Sequence, residues 1–299
     1  MNRYDLPVIR GPHDVPELRQ WLIRHWRPGG PLSVLDEHRF MTRNLPAAKL
    51  WWVEAETCDL LADAAPTLPT DVTLNMDDVP TPCGLAVFAH DFIGTDADPA
   101  ADGRQVYVSA LLWAPSNLPE VVGQPSTGIS IAMFSRLVMD DGLTKQQMQW
   151  AIPDMVALDD QLQQRRQLPP TENEAFDVHG HLFAFVGRTD WLEGWTADRC
   201  IPDNPHGLDP RTVASMAEDR RLLASLWLLA KTPFVDTTTT RPSRVVARRS
   251  ERKGLDPTVR VLRLGGPGTR HPSTVGTTTT INRKHSWMRS AHWRWQPYG

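Results

Sequence analysis

Apolar residues first recur at helical spacing between Pro16 and Trp26. Leu18, Trp21, Leu22 and Trp26 fall on one face. Asp14 can cap this helix and Pro16 suits its first turn. Gly29-Gly30-Pro31 stops it. A second helix is predicted from Pro46 to Ala64, with Leu50, Val53, Cys58, Leu60 and Leu61 as its apolar positions and Pro66 beyond it. The period then changes. Val72, Leu74 and Met76 alternate with polar residues, and Leu85 to Ala89 is a continuous apolar run. Gln105 to Trp113 and Gly128 to Val138 read as antiparallel neighbours joined by a long loop. Asp154 to Gln167 has helical composition, and Leu182 to Val186 reads as a short strand.

Asp209-Pro210 opens the best-marked helix. Val213, Met216, Leu222, Leu223, Leu226 and Leu229 give it a broad apolar face, and it ends near Lys231-Thr232-Pro233. Thr237 to Thr240 is β-prone. A basic helix is predicted from Pro242 to Lys253, closed by Gly254. Val259, Val261 and Leu262 form a further strand. The segment from His285 to Gly299 is too aromatic for a disordered tail and reads as one or two strands.

There is no strict strand–helix alternation and no glycine-rich phosphate loop. The expected fold class is therefore α+β, a mostly antiparallel sheet with flanking helices and a helical, basic C-terminal region. Pro202, Asn204, Pro205 and Gly207 cluster at a candidate boundary. It would divide an acidic body, residues 1–205, from residues 206–299, unless the two form one continuous domain.

Composition adds little until charge is considered. The 299 residues are enough for a large core, and 26 Pro and 12 Trp predict ordered loops and rigid anchors or stacking surfaces. The longest apolar run, Leu222 to Ala230, is about half of what crosses a bilayer. Met1-Asn2-Arg3-Tyr4-Asp5 begins no signal peptide, which points to a cytoplasmic protein. Cys58, Cys83 and Cys200 are odd in number and far apart, so inert thiols in a reducing compartment are expected. Charge is divided unevenly. Residues 231–299 carry 14 Lys and Arg against 3 Asp and Glu, a net of +11, while the remainder nets −14. A basic end of this kind holds nucleic acid, docks on an acidic partner, or docks on the protein's own acidic body.

The candidate chemistry follows that charge. Arg244, Arg248, Arg249, Arg252 and Lys253 lie within ten positions. Arg244, Arg248 and Arg252 are four apart, so they share a helix face that could follow a phosphate backbone, with Val245 and Val246 as the apolar side. The alternative is a solvated or internally paired face. In the C-terminal segment, His285, Arg289, His292, Trp293 and Arg294 combine proton-transfer groups with phosphate-binding ones. Cleavage without a metal, anion binding and a structural role all remain open for them. Asp177, His179 and His181 would share one face of a strand, but no further metal ligand stands at a recognised spacing. Asp77-Asp78, Asp140-Asp141 and Asp159-Asp160 read mainly as loop residues. No metal site and no cofactor is expected. No serine nucleophile elbow, Cys/His nucleophile signature or P-loop is present.

Leu222 to Ala230, Arg248-Arg249, Val259 to Leu264, Trp287, His292-Trp293-Arg294 and Gln296-Pro297-Tyr298-Gly299 together resemble uncharacterised proteins of actinobacteria and their phages or plasmids. The likeness covers about the last quarter of the chain and carries no established activity. It implies mobile-element or phage biology, with nucleic-acid handling, toxin–antitoxin or defence roles, or inhibition of a host protein. The resembling chains run on past this Tyr-Gly, which implies that the motif is incomplete here. The expected function is nucleic-acid binding, RNA favoured because exposed tryptophans can stack on unpaired bases, with a metal-independent nuclease as its enzymatic form. The alternative is a protein without chemistry that docks an acidic partner.

Overall fold

The computed structural model describes residues 6–25, 33–69, 71–93, 107–116, 127–139, 143–144, 175–176, 179–199 and 210–265, with Gln164 and Gln167 between them. Helices α1 (Val15–His25) and α2 (Ser33–Ala47) lead into strand β1 (Lys49–Val53), followed by α3 (Ala55–Ala64). Strands β2 (Gly84–Ile93), β3 (Tyr107–Pro115) and β4 (Gly128–Met139) come next, then the short β5 (Leu143–Thr144) and β6 (Ala175–Phe176), and β7 (Gly180–Leu192). The chain continues with α4 (Pro210–Lys231), β8 (Val235–Thr240), α5 (Arg244–Glu251) and β9 (Val259–Leu264).

Seven strands form one mixed sheet in the order β7-β4-β3-β2-β1-β9-β8, and β5 and β6 pair separately. The pairs β1–β2 and β1–β9 are parallel, and the other four are antiparallel. With five helices among the described residues, this is the α+β arrangement expected. Strands from both sides of residue 205 meet in it, since β9 pairs directly with β1.

The central strands are apolar on both faces, as sheets covered on both sides require. Leu50, Trp52, Leu85, Val87, Leu112 and Val261 pack with α1 and α2 residues such as Leu18, Leu22 and Met41. Trp51, Val53, Phe88, Trp113 and Leu262 pack on the other side with Leu61 of α3 and Leu223, Leu226 and Trp227 of α4. The hairpin of β3 and β4, the long helix from Pro210, the basic helix and β9 match their expected positions within a few residues.

Two expectations fail. The helix predicted over Pro46 to Ala64 is instead the end of α2, then β1, then α3. Leu50-Trp51-Trp52-Val53 is buried on both sides between β2 and β9. A short, wholly apolar run with two Trp and a β-branched residue suits a central strand, and periodicity alone does not separate it from a buried helix. The strand predicted over Val72 to Met76 is reduced to isolated bridges, Thr73 with Thr196 and Leu74 with Glu193. There Asn75 accepts a hydrogen bond from the Asp77 N–H at 3.1 Å and starts a 3-10 turn, so local side-chain bonding ends the strand. Apart from Gln164 and Gln167, the helix predicted over Asp154 to Gln167 lies outside the described residues, as do the strands predicted over His285 to Gly299.

Two buried arginines tie the layers together. Arg19 of α1 donates to Ala48 O at 3.1 Å and Asp256 O at 2.7 Å, joining the helix to the entrances of β1 and β9. Burial lowers its guanidinium to about 10, so it stays charged at neutral pH. Arg220 of α4 donates to Ala197 O, Arg199 O and Asp190 O and to the Thr189 hydroxyl, all within 2.9 Å. Beside Arg19, the Asp256 carboxylate accepts from Lys49 Nζ at 3.0 Å and from the Thr258 N–H at 3.0 Å. Burial would raise its pKa, but these donors hold it at about 2. A folded pKa below the unfolded one stabilises at higher pH, and that contribution disappears as pH falls through the folded value. The stability difference between wild type and Asp256→Asn should therefore be constant near neutrality and shrink from about pH 4 downward. Urea melts across that range test it, and a difference that grows on acidification would refute the assignment.

Gly84 pairs with Trp113 in β2–β3, and a Cβ there would stand 2.2 Å from the Trp113 ring. That ring cannot retreat, because Trp51 and Trp227 pack on it at 6.2 and 5.9 Å and its Nε1 donates to Thr81 O at 2.9 Å. Gly84→Ala should lower the urea midpoint by the equivalent of about 1–3 kcal/mol, the usual range for overpacking. An unchanged midpoint would show that the tryptophan cluster is looser than described.

Candidate nucleic-acid interface

Helix α5 is held by a small number of contacts. Ala247 and Ser250 are its buried positions, and Ser250 Oγ accepts from Gln20 Nε2 of α1 at 2.7 Å. Its C-terminal end is closed by two hydrogen bonds, Leu255 N–H to Ser250 O and Gly254 N–H to Glu251 O. This is the Schellman arrangement, with Gly254 at φ +70° in the left-handed position that favours glycine. Leu255 is buried and Asp256 is fixed by Arg19, so both the helix and its exit are anchored to the core. Of the apolar side expected of Val245 and Val246, only Val246 is partly buried. Val245 is 68% exposed, because the helix faces α1 through its smallest side chains, which allow close approach.

The opposite face carries the cations. Arg244, Arg248 and Arg252 follow one another at four-residue steps, about 6 Å each along a helix. All three are exposed, as is Lys253. None of these four makes an ion pair among the described residues, which sets them apart from their neighbours. Nine Lys and Arg lie between positions 231 and 265. Lys231 pairs with Asp78 at 2.8 Å, Arg263 with Glu54 at 3.3 Å, and Arg249 approaches Glu17 at 3.8 Å. Arg241 pairs with Glu251, and the Arg260 guanidinium lies 4.8 Å over the Trp51 ring. Arg249, grouped with the others from sequence, thus faces an α1 carboxylate.

The rest of the expected interface is less supported. His285, Arg289, His292, Trp293 and Arg294 lie outside the described residues. The seven described tryptophans, Trp21, Trp51, Trp52, Trp113, Trp191, Trp195 and Trp227, are all buried and offer no stacking surface. His181 Nδ1 accepts from the Ile9 N–H at 3.3 Å, so the chain's own backbone occupies a nitrogen considered for metal binding. Asp177 lies outside the described residues. Among the described residues, no group of three or more His, Cys, Asp or Glu side chains is placed to hold a metal ion. No described helix is long and apolar enough to cross a membrane.

Sequence reasoning missed a cavity of about 420 Å³ on the other face of the sheet, between α3, the end of β2 and α4. It lies beside a bulge, where β2 shifts register against β3 between Val87 and Phe92. Arg136 of β4 braces this bulge, donating to Phe88 O and to Asp91 Oδ1 at 2.7 Å each. His90 and Asp91 are thereby brought beside Asp59, Glu218 and Asp219. The only sequence signal is a His-Asp pair that interrupts an apolar run. His90 Nδ1 lies 3.4 Å from Asp59 Oδ1, but both side chains are mostly exposed and hold each other weakly. Cys58 lines the cavity too. Its thiol donates to Val53 O at 3.4 Å, and burial raises its pKa to about 11. The thiolate is the nucleophile, so this cysteine is a poor one at neutral pH. Burial raises Cys83 likewise, to about 12.

No family model, curated protein or solved structure matches the chain, so its chemistry rests on geometry alone. Iodoacetamide at pH 8 should leave Cys58 and Cys83 unlabelled in native protein and label both in urea, since only about one thiol in a thousand is ionised at a pKa of 11. Peptide mass spectrometry separates the sites, and rapid native labelling of Cys58 would restore it as a reactive group in the cavity.

Proposed function

We propose that this protein binds nucleic acid through backbone phosphates, using the exposed face of α5. The observation that carries this reading is the row of Arg244, Arg248 and Arg252, with Lys253 at its end, which has no carboxylate partner among the described residues while the surrounding cations are paired or stacked. Arginine forks match phosphate oxygens, and a rigid helix holds them in line. Because α5 is anchored by Ser250, Gly254, Leu255 and Asp256, little ordering cost remains at binding. The reading places the protein's work in the cytoplasm, in phage or mobile-element biology. The preference for RNA rests on Trp293 and the other tryptophans outside the described residues, since the described tryptophans are core residues. A nuclease form would need His285 or His292 with Arg289 or Arg294.

The test is fluorescence anisotropy with a labelled single-stranded RNA and the matching DNA duplex. Replacing Arg244, Arg248 and Arg252 together by Gln should weaken binding by about 10- to 100-fold and lower the magnitude of the log–log salt slope by about 2 for the single strand. Circular dichroism should be unchanged, because all three side chains are exposed. Equal affinity and slope in wild type and variant would overturn the reading. Failure of the wild type to bind either polymer would do the same, and would direct attention to an acidic protein partner.

A further inference from the structure

At the amino end of α5, Arg241, Pro242, Arg244, Ala247, Arg248 and Glu251 surround a shallow cavity of about 340 Å³. Its lining includes three arginines and one glutamate, a net formal charge of +2. Its backbone frame is fixed, because the His13 Nδ1–H donates to Arg241 O at 2.9 Å and both Pro242 and Ala247 are buried. Ser243 makes no side-chain cap hydrogen bond to the first-turn amides of α5. Inside the cavity, Arg241 Nη2 donates to Glu251 Oε1. The two side chains are 59% and 48% exposed, so the pair is solvated and easily exchanged.

We propose that this cavity seats one phosphate of the bound nucleic acid, and that Glu251 is its built-in competitor. The proposal rests on the α5 reading above and adds its internal regulation. A carboxylate and a phosphate bind the same face of a guanidinium, so only one can hold Arg241 at a time. With Glu251 engaged, the basic row offers Arg244, Arg248 and Arg252. When phosphate enters between Arg241, Arg244 and Arg248, the Arg241 fork turns from the carboxylate to the phosphate and joins the row as a further cation. Glu251 therefore weakens binding twice, by holding Arg241 and by placing negative charge beside the phosphate. Its position in the last turn of α5 is also unfavourable for an acid, because the carboxyl end of a helix is partly negative. The fold gains little from this residue, which suits a role in tuning affinity.

The experiment uses the full chain, the same labelled single-stranded RNA, and salt from about 50 to 200 mM. Glu251→Gln should tighten binding by about 3- to 10-fold and steepen the salt slope by about 0.7, the contribution of one further phosphate contact. Arg241→Gln alone should have a small effect, and in combination with Glu251→Gln should abolish the gain, the non-additivity expected of a coupled pair. Asp59→Asn makes the same charge change on the opposite face of the sheet and should alter neither quantity. An equal gain in Asp59→Asn would overturn the proposal, since net charge would then explain the effect. Unchanged affinity and slope in Glu251→Gln, with binding still lost in the triple arginine variant, would overturn the competitor role and leave the α5 reading standing. If no variant and no wild type binds RNA, the α5 reading itself has failed and the cavity proposal falls with it.

Discussion

Strand β1 is the constraint on which the rest of the structure depends. Its five residues hold β2 on one edge and β9 on the other, both in parallel. Leu50 and Trp52 enter one half of the core, and Trp51 and Val53 the other. No other described strand joins the N-terminal helices, the antiparallel hairpins and the C-terminal region in a single step. A strand so placed must be apolar on both sides, and that requirement explains the uninterrupted Leu-Trp-Trp-Val run. It also explains why α5 is rigid. Once β9 is paired to β1, the short connection through Leu255 and Asp256 leaves the helix few places to go.

Buried arginines complete this arrangement in a way that bears on function. Arg19 and Arg220 each sit among backbone carbonyls and donate to several of them. Carbonyl oxygens at sheet ends and loop corners need donors, and a guanidinium satisfies several from one residue. At the β2 bulge, Arg136 donates to a single carbonyl, Phe88 O, and pairs with the Asp91 carboxylate as well. Arginine in this chain thus has two separate uses. Some arginines complete the hydrogen bonding of the core, and others form a surface row. A count of positive charges cannot distinguish these, which is why the net charge of the C-terminal region was a less specific guide than the pairing of each side chain.

The parts of the fold legible in the sequence were those with a local signature. Proline and aspartate at 209–210 marked α4, Gly254 marked the end of α5, and the antiparallel pair β3–β4 followed from two β-rich runs with a turn between them. The Arg244, Arg248 and Arg252 row was legible because helical spacing alone defines it. What could not be read was set by distant partners. β1 resembles a buried helix segment until β2 and β9 are known to flank it. The exposure of Val245 depends on α1 meeting Ala247 and Ser250. The cavity beside His90 lies next to a bulge whose Phe88 carbonyl is held by Arg136, 46 positions from His90. The burial of the tryptophans likewise reflects the two-sided core, since composition is equally consistent with stacking platforms.

The two faces of the sheet differ in a manner that orients any charged partner. Beside α1, the α5 side presents four cations that make no ion pair among the described residues, and the cavity on the α3–α4 side gathers Asp59, Asp91, Glu218 and Asp219 around His90 and Arg221. The sheet and its packed layers separate these regions by low-dielectric material, where fields are screened less than in water. Under the reading proposed above, a polyanion is drawn to the α5 side and repelled from the other, although the whole chain is close to neutral. In the same field an acidic protein would also be steered to α5. What separates the two ligands is geometry. A row of forked donors at fixed helical steps, ending in a cavity lined by three arginines, suits a regular chain of phosphates better than carboxylates scattered over a folded surface.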